Sequence, residues 1–207
     1  MHEAEGQVGA VPRRDEELAA DAAAGSSACF EELVTRLGPR LLRYLRRRLG
    51  DVHAAEDVLQ ETFLKAYRNL GRYDASRSFA TWLFTIATRC ATDYWRARKP
   101  AAPLDGVEPA DGRQPDPLDA AARREQHDGI WQRAAGVLPA QQFTVLWLRY
   151  AEEMAVRDIA AVLGKSVVAV KVMLHRACKR VTKYTAARPA PTGARTRRPA
   201  GHAFETS

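Results

Sequence analysis

The chain predicts an all-α protein: two small helical domains joined by a flexible acidic linker, the second domain a helix–turn–helix. Three observations lead there. Apolar residues recur three or four positions apart wherever the sequence is patterned. No run alternates apolar and polar residues in the manner of a half-buried strand. Glycines, prolines and shifts of charge divide the 207 residues into blocks. A hydrophobic fraction of 46% is enough to fill a core in part of the chain.

Residues 1–27 are acidic, rich in Ala and Gly and without period, and are expected to form a disordered tail. The first domain, 28–99, opens with Phe30, Leu33, Val34 and Leu37 on one helical face. Gly38-Pro39 predicts a break, with Pro39 in the first turn of a new helix. That helix carries Leu41, Leu42, Leu45 and Leu49 inward, leaves Arg43, Arg46, Arg47 and Arg48 on its surface, and ends at Gly50. Asp51 is the expected N-cap of a third helix, Ala54 to Leu70, with Val58, Leu59, Phe63, Ala66 and Tyr67 inward and Asp57, Gln60 and Glu61 outward. A polar turn, Gly71 to Ser78, leads into a helix from Phe79 to Lys99.

That fourth helix has two faces. Phe79, Trp82, Leu83, Ile86, Ala87, Cys90 and Tyr94 belong in a core. Thr81, Thr85, Thr88, Thr92, Trp95 and Lys99 point the other way, flanked by Arg89 and Arg96. Cations beside an exposed aromatic suit single-stranded nucleic acid, where guanidinium groups meet phosphates and a ring stacks on a base. A solvated amphipathic helix is the simpler reading of this segment taken alone.

Residues 100–125 hold Pro100, Pro103, Pro109, Pro115 and Pro117 among acidic side chains, and read as an extended acidic linker. Weak helical character returns after Asp119. The second domain, 126–185, becomes well patterned at Leu138-Pro139, with Phe143, Val145, Leu146, Leu148 and Tyr150 on a short apolar helix. A helix from Val156 to Leu163, a turn at Gly164-Lys165 and Ser166 as N-cap of a further helix make a helix–turn–helix. Ile159, Ala160, Leu163, Val167, Val170 and Leu174 are its expected core. Residues 186–207 read as a disordered basic tail able to add phosphate attraction.

Composition limits the function classes. Three cysteines, widely spaced and with no CxxC, argue against a disulfide framework or a zinc site and fit a reducing cytosol. Neither an HExxH nor a glycine-rich phosphate loop occurs, so no metal or other cofactor is expected and nothing points to an enzyme or to a small-molecule substrate. No apolar run is long enough to insert in a membrane. The net charge of +7 is unevenly held: 31–100 and 126–207 are basic, while 1–30 and 101–125 are acidic. Two basic blocks around an acidic spacer suit a polyanion gripped at two places.

Several motifs, in order, carry a resemblance: DVLQETFLKAYRNL (Asp57 to Leu70), FATWLFTIA (Phe79 to Ala87), LPAQQFTVLWLRY (Leu138 to Tyr150), DIAAVLGKS (Asp158 to Ser166) and VKVMLHRA (Val170 to Ala177). Together they resemble the extracytoplasmic-function group of bacterial sigma factors, in the sigma-70 family. The resemblance implies that Asp57, Gln60 and Glu61 dock on core RNA polymerase. It implies that Arg72, Tyr73, Arg77, Thr88, Arg89, Thr92, Trp95 and Arg96 capture the melted −10 strand. It further implies that Ser166, Lys171, His175, Arg176 and Lys179 meet −35 duplex DNA. The implied partners are core polymerase, promoter DNA and an anti-sigma factor, and the implied location is the cytoplasm. The sequence departs from the group's pattern in the last helix. Val168, Ala169, Val172, Met173 and Cys178 stand where Gly, Thr, Ser, Arg and Arg are common, and Thr88-Arg89 stands where Arg-Asn is common. The alternative reading is a free-standing helix–turn–helix repressor with a helical partner-binding domain.

Overall fold

A computed structural model describes residues 13–98 and 122–187. The helices are α1 (Asp15–Ala23), α2 (Ser27–Leu49), α3 (Val52–Arg68), α4 (Phe79–Arg98), α5 (Ala122–Val137), α6 (Ala140–Tyr150), α7 (Val156–Leu163) and α8 (Val167–Ala187), with a 3-10 turn at Leu70–Arg72 between α3 and α4. Among the described residues no strand occurs. The expected linker lies almost wholly outside the described residues, as do 1–12 and 188–207.

Two expectations are corrected in the first half. The segment read as a disordered tail contains α1, whose Leu18, Ala19 and Ala22 are buried. Its acidic residues are tied down: Asp15 pairs with Arg36 at 3.2 Å, and a Glu16 oxygen accepts the Phe79 backbone N–H at 3.2 Å, closing the start of α4. A stripe of one leucine and two alanines is too short and too small to stand out as a period.

The second correction is α2, which continues through Pro39 as one helix of 23 residues. Proline removes one backbone hydrogen bond and costs about 3 kcal/mol within a helix. Leu33, Leu37, Leu41, Leu45 and Leu49 keep one buried face on both sides of it, and burying such side chains contributes about 2 kcal/mol each. Packing therefore outweighs the break. The same register buries Arg48, which the sequence reading had put on the surface.

The caps hold as expected. Asp51 accepts the Ala54 N–H at 3.1 Å, which keeps its carboxyl below its usual range, and Gly50 ends α2 with a left-handed φ of 72°. The α7–α8 turn is a Schellman motif. Gly164 sits at φ 60°, Lys165 N–H donates to Ala160 C=O at 2.9 Å, and Gly164 N–H to Ala161 C=O at 3.3 Å. Ser166 then accepts the Ala169 N–H at 3.2 Å.

The two sequence blocks share one core. α2 packs on α5 and α6 as well as on α1 and α3, and α4 packs along α7. Tyr44 of α2 is fully buried, with its ring 5.7 Å from Phe84 and 6.5 Å from Phe143, and its hydroxyl shares a 2.9 Å hydrogen bond with Thr144. One turn earlier, Arg40 donates through Nε and Nη2 to Glu152 Oε2 at 3.0 and 2.7 Å, and Trp147 Nε1 donates to Glu152 Oε1 at 3.1 Å. The Glu152 side chain has 0% exposure, whereas that of Arg40 has 41%.

Two outcomes follow. Leu18→Ala should lower unfolding stability by about 3 kcal/mol in a urea titration, where a disordered tail would give no change. Across the shared core the costs should be unequal. Arg40→Ala leaves a buried carboxylate short of its cation and should cost about 3 kcal/mol. Glu152→Ala frees Arg40 to water, orphans only the indole N–H, and should cost about 2 kcal/mol. The reverse order would contradict this account of the pair.

Candidate nucleic-acid and polymerase interfaces

On α3 the buried Val58, Thr62 and Ala66 fix the register, so Asp57, Gln60, Glu61, Leu64, Tyr67 and Arg68 share the exposed side. Glu61 pairs with Lys65 at 2.7 Å, a surface contact of small energetic weight. Tyr67, expected inward, is 55% exposed and meets Phe30 edge-on at 5.0 Å. Ser27, Phe30, Glu31, Phe63, Leu64 and Tyr67 line a shallow apolar groove beside the acidic residues. Sequence reasoning missed this groove because Leu64 and Tyr67 obey the helical period without reaching the core.

The turn before α4 is built by its own side chains. Asp74 accepts the Ser76 hydroxyl at 2.7 Å and the Ser76 N–H at 3.0 Å, and these bonds hold its carboxyl below the usual range. Ser78 Oγ accepts the Thr81 N–H at 3.4 Å near the N-terminus of α4. Arg72 and Arg77 are exposed. Tyr73 is not a free platform: its ring packs on Phe79 at 5.2 Å and Trp82 at 5.3 Å, and its hydroxyl donates to the Arg77 carbonyl. Burial pushes the phenol up to about 12.

The polar face of α4 is narrower than its sequence implies. Arg89, Asp93 and Arg96 are exposed and lie along one strip, Arg96 within 3.9 Å of Asp93. Thr92 is half-buried and its hydroxyl returns to the Thr88 carbonyl at 2.8 Å. Trp95, read as the outward aromatic, is half-buried against the core, and among the described residues neither its Nε1 nor Thr88 Oγ1 has a hydrogen-bond partner. The reason is a second buried face. Phe84 and Ala91 are fully buried, Phe84 against Tyr44 of α2, and helical spacing puts Thr88 and Trp95 in line with them. Trp82, read as core, is half-buried at the edge of the exposed strip.

In the helix–turn–helix, Ile159, Ala160, Val170 and Ala177 are buried, and Leu163 and Leu174 pack against them. Lys171, Val172, His175, Arg176 and Lys179 are exposed along the outer face of α8. Ser166 is exposed at its start, with its hydroxyl engaged in the cap. Val167, expected in the core, is 40% exposed. The geometry thus brings together the α8 residues on one helix face and Arg89 and Arg96 on one strip of α4, leaves Arg72 and Arg77 exposed in the turn before it, and withholds Trp95 and most of Tyr73.

Among the described residues no helix is long and apolar enough to cross a membrane, and no group of His, Cys, Asp or Glu is arranged to hold a metal ion.

Comparison with known proteins divides the chain the same way. Residues 33–100 match the family described as Sigma-70 region 2, and residues 129–181 match Sigma-70, region 4. ECF RNA polymerase sigma factor SigW of Bacillus subtilis is 35% identical over 164 residues, covering 73% of this chain and 86% of SigW. RNA polymerase sigma-E factor of Streptomyces coelicolor is 32% identical over 159 residues, covering 77% and 87%. Among solved structures, CnrH in complex with the cytosolic domain of CnrY superposes with a TM-score of 0.64 at 30% identity, covering 84% of this chain and 99% of that one. The sigma factor RpoE of Bartonella quintana, in complex with the anti-sigma factor NepR, shares the fold at a TM-score of 0.59 and 19% identity.

The burial of Trp95 has a direct check. Trp95→Ala should cost about 2 kcal/mol of stability, while Trp95→Phe, which keeps most of the packing and removes the orphaned N–H, should stay within about 1 kcal/mol of the parent in the same titration. A fully exposed tryptophan would tolerate the alanine as well as the phenylalanine.

Proposed function

The chain belongs to the extracytoplasmic-function sigma factors of the sigma-70 family, and from that premise we propose how its surfaces divide the work of directing RNA polymerase to specific promoters. The protein acts in the cytoplasm as an initiation factor, while the phosphodiester chemistry belongs to the polymerase. The region 2 match over residues 33–100 leaves the repressor alternative without support.

The observation that carries the reading is the outer face of α8. Lys171, His175, Arg176 and Lys179 stand exposed on a helix whose inner side is fixed by Val170 and Ala177, preceded by a capped turn. A helix held this way enters the major groove with its first turns at the base edges and its later cations near phosphate. We assign this domain, 126–185, to −35 duplex, with Ser166 at the entry. Asp57, Gln60 and Glu61, with the apolar groove beside them, serve core polymerase. Within the domain 28–99, Arg72, Arg77, Arg89 and Arg96 serve the melted −10 strand as phosphate contacts. Thr88, Thr92 and Trp95 join that strand only after the buried side of α4 is uncovered, and Tyr73 only after its ring leaves Phe79 and Trp82.

Distance supports a parting of the two halves. Elements named −10 and −35 are separated by about 85 Å of duplex at roughly 3.4 Å per pair. A compact body of this size has a radius of gyration of only about 15 Å. The two DNA surfaces therefore reach their elements together only when the halves separate. CnrH and RpoE were solved with CnrY and the anti-sigma factor NepR, and we extend a partner of that kind, an anti-sigma factor, to this chain.

Core polymerase supplied with this protein should yield run-off transcripts from a cognate promoter, and no binding to polymerase would sink the reading. Charge reversal of Asp57 and Glu61 to lysine should weaken that binding. The pair Arg89→Ala and Arg96→Ala should instead leave holoenzyme intact and reduce permanganate reactivity of unpaired thymines at −10 by about ten-fold.

A further inference from the structure

The outer face of α8 is not uniformly polar. Val168 is 71% exposed, Val172 42% and Val167 40%, and they form an apolar patch over the first two turns of the helix. The hairpin core is filled instead by Val170, at 0% exposure, which lies across the helix from Val168 and Val172. Exposed β-branched residues slightly disfavour a helix and add nothing to its solubility. Val168 and Val172 lie one turn apart, in line with Arg176 and Lys179.

The charge around the patch selects its occupant. α8 contains no carboxylate, and no Asp or Glu occurs anywhere between Asp158 and Glu205. Lys165, Lys171, Arg176, Lys179 and Arg180 are exposed around or beyond the valines. A groove that is anionic at its rims and apolar at points on its floor fits this arrangement. The major groove of DNA has that character where thymine presents its C5-methyl group, and apolar side chains are the ones that contact it.

We propose that Val168 and Val172 read thymine methyl groups in the −35 element, so that part of this protein's promoter choice is made by apolar contact rather than by hydrogen bonds. This rests on the assignment of α8 to −35 duplex. The cations at Lys171, Arg176 and Lys179 hold the helix in the groove, and the two valines set preference at neighbouring base pairs. Each methyl covered contributes the burial of one small apolar group, equivalent to about four-fold in affinity.

The test uses holoenzyme assembled from the full chain and core polymerase. Active templates are first selected from a promoter pool randomised over the −35 block. Each selected thymine is then replaced by deoxyuridine, which removes the methyl and nothing else. The expected result is a loss of about four-fold in template occupancy per critical methyl, and about fifteen-fold for two. Val168→Ser and Val172→Ser should melt as the parent does and reduce this sensitivity below about two-fold. Scrambling the whole −35 block separates the two levels. If scrambling abolishes initiation but uracil substitution changes nothing, the −35 assignment stands and methyl reading is overturned. If scrambling has no effect, the assignment itself fails and methyl reading fails with it. If the serine variants weaken association with core polymerase in the absence of DNA, the patch docks on protein and the inference is overturned.

Discussion

A carboxylate taken out of water has to be paired, and that of Glu152 sets the terms on which the two halves of the molecule meet. It lies on the turn after α6, and it draws a guanidinium from α2 and an indole N–H from its own half. Such a pair adds little net stability, because desolvation offsets most of the attraction. Its effect is on register: only one placement of α2 against α6 satisfies all three groups. Tyr44 then falls between Phe84 and Phe143 with its hydroxyl on Thr144, and Arg43 lies over the Trp147 ring at 5.9 Å.

That register explains why α4 is buried on two sides. One side meets the rest of the first half through Leu83, Ala87 and Cys90. The other is closed by Phe84, which meets Tyr44, by Ala91 and by the half-buried Trp95, and α4 also packs on α7. A helix facing two partners keeps only a narrow exposed strip, which is why Arg89 and Arg96 remain in solvent while Thr88 and Trp95 do not. The α3 face and the outer face of α8 lie away from the seam and are exposed in the same arrangement.

Much of this was readable from the chain. Helix periods gave the all-α class, and caps at Asp51 and Ser166 and the glycines at 50 and 164 gave the punctuation. The outward residues of α3 and α8 followed from their buried neighbours three and four positions away. What could not be read was anything decided between helices far apart in sequence. Tyr44, Phe84 and Thr144 satisfy no local pattern, yet they form the seam. Pro39 signals a break that continuous packing overrides. α1 is acidic and small-sided, and is ordered by contacts far along the chain: Leu18, Ala19 and Ala22 enter the core, and Arg36 and the open start of α4 take up Asp15 and Glu16. Trp95 was misplaced because a single helical wheel allows one buried side, and this helix has two.

The seam holds together an energetic contradiction that suits its role. Its aromatic part resists separation, since parting Tyr44 from Phe143 and Trp147 exposes large apolar area. The second buried face of α4 is weakened from within. An unsatisfied buried donor or acceptor costs about 1–3 kcal/mol, and Trp95 Nε1 and Thr88 Oγ1 on that face have no hydrogen-bond partner among the described residues. Uncovering that face would return water to both atoms. Uncovering that face of α4 is therefore opposed less than parting the aromatic cluster around Tyr44, which fixes register.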